Sequence, residues 1–207
     1  MRDGWWCWLT ARVQGCITRS WTVSRESWLR AVSRPSATNF PTCSSGGEER
    51  PDPTAILIAT VRAAVAAAAE AASDLPLLGG GKSLGGRMTS LALSEDASAG
   101  QAEATAGVRG LVFFGFPLHT AGRPGTQRAE HLERVKVPML FLQGTRDTLA
   151  DLVLLRPLCA TLAPRATLHI VDQADHSFHV LKRSGRTDAE VLGELARTVA
   201  SWADSLA

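Results

Sequence analysis

A chain of 207 residues, 45% apolar, has material for one domain with a real core. Its 22 basic and 20 acidic side chains leave a formal net charge of +2 with no basic stripe, so composition offers no footprint for nucleic acid. Cys7, Cys16, Cys43 and Cys159 have neither disulfide-framework nor metal-site spacing, which favours a reducing, cytoplasmic setting, and no apolar run approaches the roughly 18 residues of a membrane span.

Residues 1–50 carry five of the six tryptophans, six arginines from Arg2 to Arg34, and no sustained period of 2 or 3.6. Trp5–Leu9 is too short for the core of a secretory signal, and Arg12 follows closely. The segment reads as poorly ordered or unmatched to the fold behind it. An organelle transit peptide and a tryptophan-mediated contact surface are the alternatives. Ser44-Ser45-Gly46-Gly47 is linker-like, which sets the expected boundary of a second unit over 51–207.

From residue 51 the text becomes regular. Asp52 is placed to cap a helix entered at Pro53 and running to Ala72, with Leu57, Val61, Val65 and Ala68 on one core-facing side. Leu75–Leu78 is a brief buried-strand candidate, and Gly86 to about Leu93 a helix packed close to it. Ser94–Gly107 has no periodicity and reads as a surface loop. Leu111–Gly115, Val137–Leu142 and Thr167–Val171 are almost wholly apolar, as strands covered on both faces are. Ala150–Leu162 is a helix candidate interrupted by Pro157, and Thr187-Asp188 open an amphipathic helix running to about Leu206. Strand and helix alternate, which predicts an α/β fold with a mainly parallel sheet.

The chemistry concentrates at 79–87, Gly-Gly-Gly-Lys-Ser-Leu-Gly-Gly-Arg. Read as Gly81-x-Ser83-x-Gly85, it is a nucleophile elbow; read as a run ending in Gly81-Lys82-Ser83, it is almost a phosphate-binding loop. The second reading lacks its first glycine, because Pro76 stands there, although Asp172 would serve as its Mg²⁺-positioning acid. It leaves Asp147 and His176 unexplained. A serine nucleophile needs an imidazole base, and the base needs a carboxylate to hold its tautomer. Ser83, Asp147 and His176 follow three different strands in the chain order expected of an α/β-hydrolase. The conjunction carries the weight, since each residue alone is a common loop former or solvated side chain. Lys82, His119 and Phe178 are candidates to line a pocket, with a solvated lysine and a core phenylalanine as the plainer alternatives. No metal-ligand set or dinucleotide fingerprint is visible, so no cofactor is expected and a small-molecule substrate is. His131, His169 and His179 carry no motif.

The blocks 80–87, Gly-Phe-Pro-Leu-His at 115–119, Leu-Gln-Gly-Thr-Arg-Asp at 142–147, Asp-His-Ser-Phe at 175–178 and Lys-Arg-Ser-Gly-Arg-Thr at 182–187 together resemble a small bacterial α/β-hydrolase branch near the dienelactone hydrolases. That branch shares its domain with a subunit of the animal NSL histone-acetyltransferase complex and with a testis-expressed protein. The resemblance spans about residues 50–207. It implies Ser83 as nucleophile, His176 as base, Asp147 as orienting acid and the Leu84 N–H as one oxyanion donor. The chain departs from the family ahead of residue 51, where nothing resembles the usual His-Gly-Ala-Gly loop that supplies the second donor. The expectation is an α/β-hydrolase fold truncated on its N-terminal side, with a bared sheet edge. Its function is ester hydrolysis, or binding and scaffolding without catalysis.

Overall fold

The computed structural model describes residues 6–12, 17–23, 52–71, 73, 75–100, 105 and 107–206, the first two stretches and Ala71 by their backbone alone. The strands are β1 (Trp6–Arg12), β2 (Ile17–Val23), β3 (Leu77–Lys82), β4 (Val108–Phe114), β5 (Met139–Gly144) and β6 (Ala166–Val171). They form one sheet in the order β2-β1-β3-β4-β5-β6. The β1–β2 pair is antiparallel and every other pairing is parallel. The helices are α1 (Thr54–Ala71), α2 (Leu84–Ala99), α3 (Leu152–Thr161) and α4 (Asp188–Asp204), with 3-10 helices at Gln127–Arg134 and Lys182–Ser184.

The unbroken apolar character of β4 and β5 follows from cover on both faces. Leu111, Phe113, Met139 and Phe141 point to one side, where they meet Leu57, Val61 and Val65 of α1, Met88 and Ala92 of α2, and Leu155 of α3. Val112, Leu140 and Leu142 point to the other, against Val191, Leu195, Val199 and Trp202 of α4. The α1 face is the one its spacing predicts, although the helix opens a residue later: the carbonyl of Pro53 accepts the Ile56 and Leu57 N–H groups at 2.9 and 3.2 Å. At α4, Thr187 accepts from Glu190 N while Glu190 reaches back to the Thr187 N–H, a complete capping box. Helix α3 runs through Pro157, capped by Asp151, which accepts from Val153 N. One missing N–H removes a single rung, and the buried Leu155 and Cys159 hold the helix against the sheet across it.

Two expectations are corrected and one element is new. Helix α2 continues through Ala99 to Gly100, so the first part of the expected loop at 94–107 is helical. Its inward positions there are Ser94 and Asp96, which packing makes buried but which carry no apolar signal. Arg62 Nε donates to Asp96 at 2.8 Å and Arg134 Nε to Ser94 at 3.1 Å. The 3-10 helix Gln127–Arg134 was not anticipated; its Ala129 and Leu132 join the core beneath α2. Finally, β1 and β2 lie inside the stretch predicted to be irregular. Their sequences, WCWLTAR and ITRSWTV, are rich in the aromatic and β-branched residues that suit a pleated surface. β1 pairs with β3 through Cys7↔Leu77, Trp8↔Leu78 and Ala11↔Gly81, covering the edge expected to be bare. The rest of 1–50, including the linker at 44–47, lies outside the described residues.

Candidate active site

The turn from β3 into α2 is made by one residue. Ser83 has φ 51° and ψ −123°, a conformation that a non-glycine side chain adopts only when its surroundings impose it. Those surroundings are visible. Ser83 N–H donates to Phe114 O at 3.1 Å, and Ser83 O accepts from Arg87 N at 3.2 Å. Gly86 supplies the room, since a Cβ there would stand 2.7 Å from Gly81 O, and only glycine lets the helix lie this close to its own strand. Gly79, Gly80 and Gly81 belong to β3 itself. The phosphate-loop reading therefore loses its loop, because nothing between strand and helix remains to wrap a phosphate. Asp172, its candidate acid, faces Thr145 Oγ1 at 3.3 Å.

Asp147 and His176 follow β5 and β6, which register as Gly144↔Val171 at their carboxyl ends. Across that step Thr145 N–H donates to Val171 O at 3.0 Å and Arg146 N–H to Ala174 O at 2.8 Å, tying the two loops together. The result is a contact of 2.7 Å between His176 Nδ1 and Asp147 Oδ2, with the carboxylate fully buried and the imidazole partly open. An ionised carboxylate only accepts, so the proton sits on Nδ1 and the Nε2 lone pair is left for a substrate-side proton. Asp147 Oδ1 accepts from Leu149 N–H at 2.8 Å, and its Oδ2 accepts a second, short hydrogen bond from Gln143 Nε2.

Ser83 stands beside this pair. The backbone to which it is bonded continues into Gly115, where a Cβ would lie 3.1 Å from His176 Nδ1 and 3.4 Å from Asp147 Oδ2. With φ at 70°, Gly115 is the residue type that this close approach requires. The structure brings the acid and base into contact and places the serine at the same end of the sheet. It shows no hydrogen bond between Ser83 Oγ and the imidazole among the described residues. Leu84 is the first residue of α2, where N–H groups have no partner within the helix.

The pocket candidates separate. Lys82 is half-buried and donates from Nζ to the His176 carbonyl at 2.7 Å, with the ring of Phe178 centred 5.7 Å away. It is thus a strut between the elbow strand and the loop of the base. Phe178 is buried, edge-on to Phe114, and has φ 63°. His119 is buried with both ring nitrogens engaged: Nδ1 bonds Thr120 O and Nε2 accepts from Asp151 N–H, each at 2.9 Å. It fastens the loop after β4 to the start of α3 rather than presenting a free ring.

Two residues escaped sequence reasoning. Gln143, near the end of β5, lies in the block 142–147 with no role assigned from sequence, yet it is fully buried on the acid. His131 is buried beside Ser90, Nε2 to Oγ 2.7 Å, while Ser90 also bonds Arg87 O at 2.9 Å. Burial, then the charges of Arg87 and Arg134, push its pKa down to about 4 from an ordinary 6.5. As pH falls through 6.5 the unfolded chain takes up a proton that the folded chain refuses until about 4, so this group withdraws stability across that window. Urea unfolding at about pH 7.5 and about pH 5 should show wild type losing more stability on acidification than His131→Gln. Equal losses in the two proteins would refute that account.

A mainly parallel, helix-flanked sheet with a strained serine turn and an Asp–His pair at its carboxyl edge defines the α/β-hydrolase class of fold. The model of the alpha/beta hydrolase domain family matches residues 38–204, and the chain belongs to that family. An alpha-beta serine hydrolase homologue from Coxiella burnetii superposes with a TM-score of 0.59 at 15% identity, covering 92% of this chain and 82% of that one. An α/β serine hydrolase without lid from Xanthomonas campestris gives 0.54 at 20% identity over 86% and 73%. A dienelactone hydrolase from Anabaena variabilis gives 0.52 at 20% identity over 72% and 59%. At these identities the likeness is one of fold. Among the described residues no helix is long and apolar enough to cross a membrane.

Proposed function

We propose that this chain is a cytoplasmic serine hydrolase that cleaves an ester-like bond in a small molecule through an acyl-enzyme on Ser83. The observation that carries the reading is the 2.7 Å contact between His176 Nδ1 and the buried Asp147 carboxylate, beside a serine held at φ 51°. In this mechanism Ser83 Oγ attacks the acyl carbon as His176 Nε2 takes its proton. The oxyanion develops against the Leu84 N–H, and the imidazolium is stabilised by Asp147. The imidazolium then protonates the leaving alcohol as the ester bond breaks. Water, deprotonated by His176, attacks the acyl-enzyme and restores Ser83. That no Ser83–His176 hydrogen bond is formed among the described residues fits a resting site, where catalytic hydrogen bonds often tighten only on substrate. The sequence blocks at 80–87, 115–119, 142–147 and 175–178 support placement in the branch near the dienelactone hydrolases, and the same blocks are the basis for kinship with the NSL-complex subunit.

The competing reading is a fold of this class that binds without catalysis, and the lack of a Ser83–His176 hydrogen bond among the described residues is what favours it. A fluorophosphonate probe separates the two. Wild type should label covalently and Ser83→Ala should not label at all. Folded wild-type protein that stays unlabelled would leave the binding role as the better account.

A further inference from the structure

Beside the elbow lies a group of cations with no ion-pair partner among the described residues. Arg87 sits one turn into α2, its N–H bonded to Ser83 O at 3.2 Å. Its side chain is half-buried, and its Nε is buried with no hydrogen-bond partner. Arg128, half-buried on the 3-10 helix Gln127–Arg134, is close enough to repel it. No carboxylate among the described residues forms an ion pair with either arginine, whereas Arg62 has two such partners and Arg186 one. The imidazole of His131 also faces this group and feels the charges of Arg87 and Arg134. Arg128 reaches the His119 carbonyl at 3.3 Å, within the loop whose first residue, Gly115, packs on His176. Arg87 thus rises from the first turn of α2 and Arg128 lies against the loop after β4, the two segments that flank the candidate site.

Holding an unsatisfied guanidinium nitrogen out of water beside a second cation is unfavourable unless something compensates. A planar anion would do so, because it can accept several N–H bonds at once from two arginine forks. We infer that Arg87 and Arg128 form a subsite for an anionic group, a carboxylate or a phosphate, carried by the substrate. The inference rests on the hydrolase reading only for the statement that this anion is part of a substrate. The existence of an anion site does not depend on it.

The test keeps the two apart. In Ser83→Ala protein, succinate and inorganic phosphate are titrated by calorimetry. At least one should bind with a Kd of about 1 mM or tighter, and the stronger of the two identifies the anion as carboxylate or phosphate. Arg87→Gln or Arg128→Gln, each in the same background, should weaken that binding by about ten-fold or more, and Arg87→Lys should restore part of it. The catalytic arm compares p-nitrophenyl butyrate with the mono-p-nitrophenyl ester of succinic acid. The ratio of their kcat/KM values should favour the anionic ester and fall toward unity in either glutamine variant. No binding of succinate or phosphate at about 10 mM would overturn the subsite, as would binding unchanged in both glutamine variants that still melt cooperatively. Binding without turnover of either ester, and without fluorophosphonate labelling of wild type, retains the anion site and removes the hydrolase reading.

Discussion

Asp147→Asn is expected to lower kcat/KM for an ester by about 10⁴-fold with the fold intact, the scale found when a triad carboxylate becomes an amide. The reason is the count of donors around it. Asp147 is fully buried and accepts from His176 Nδ1, Gln143 Nε2 and Leu149 N–H. An asparagine has one acceptor and one donor group for those same directions. If its oxygen faces the Leu149 N–H, its NH₂ faces both Gln143 and His176. The imidazole must then carry its proton on Nε2, where it cannot accept the serine proton. If the amide is flipped, a buried N–H pair is set against each other at Leu149, which costs stability. Steady-state kinetics, with a thermal melt as the fold control, checks this. A loss smaller than about ten-fold in cooperatively folded protein would remove Asp147 from the mechanism.

Gly144→Ala should cost about 3 kcal/mol of stability and reduce activity along with it. A Cβ at Gly144 would stand 2.3 Å from Ala174 O and 2.9 Å from Asp175 O, both backbone atoms that cannot rotate aside. Ala174 O is also the acceptor of the Arg146 N–H, so relief of the clash pulls apart the bond that ties the acid's loop to the base's loop. For a chain of this size the loss corresponds to a fall in Tm of roughly 6–12 °C. A variant that melts within about 2 °C of wild type would show that the two loops have slack that their geometry does not suggest.

Much of the domain behind residue 51 is legible without coordinates. The α1 stripe of Leu57, Val61, Val65 and Ala68, the apolar runs of β4 and β5 and the capping box at Thr187 all express local rules that the tertiary structure obeys, whereas β6, expected to be covered on both faces, is an edge strand with only Val171 buried. Reading stops where burial is polar or long-range. Ser94 and Asp96 are inward positions of α2 satisfied by Arg134 and Arg62, partners some 40 and 34 residues away. β1 and β2 are strands because β3 offers an edge, and no periodicity in the first 50 residues announces it. Gln143 lies in an apolar run, and only its 0% exposure against a carboxylate marks it as part of the site.

By itself the sequence determined the elbow and the order in which serine, acid and base occur. Small residues around Ser83 and apolar runs ahead of each loop are local properties of the chain. It named His176 and Asp147 as base and acid by their places after the strands, but it did not determine the contact between them. The chain has five histidines, and each has a different neighbour: His119 the backbone of Thr120 and Asp151, His131 Ser90, His169 Glu194, His179 Asp188 and His176 Asp147. A hydrogen bond demands sub-ångström placement of groups 29 residues apart, as for Asp147 and His176. Only the register of β5 on β6 and the Gly144 contact with Ala174 supply it.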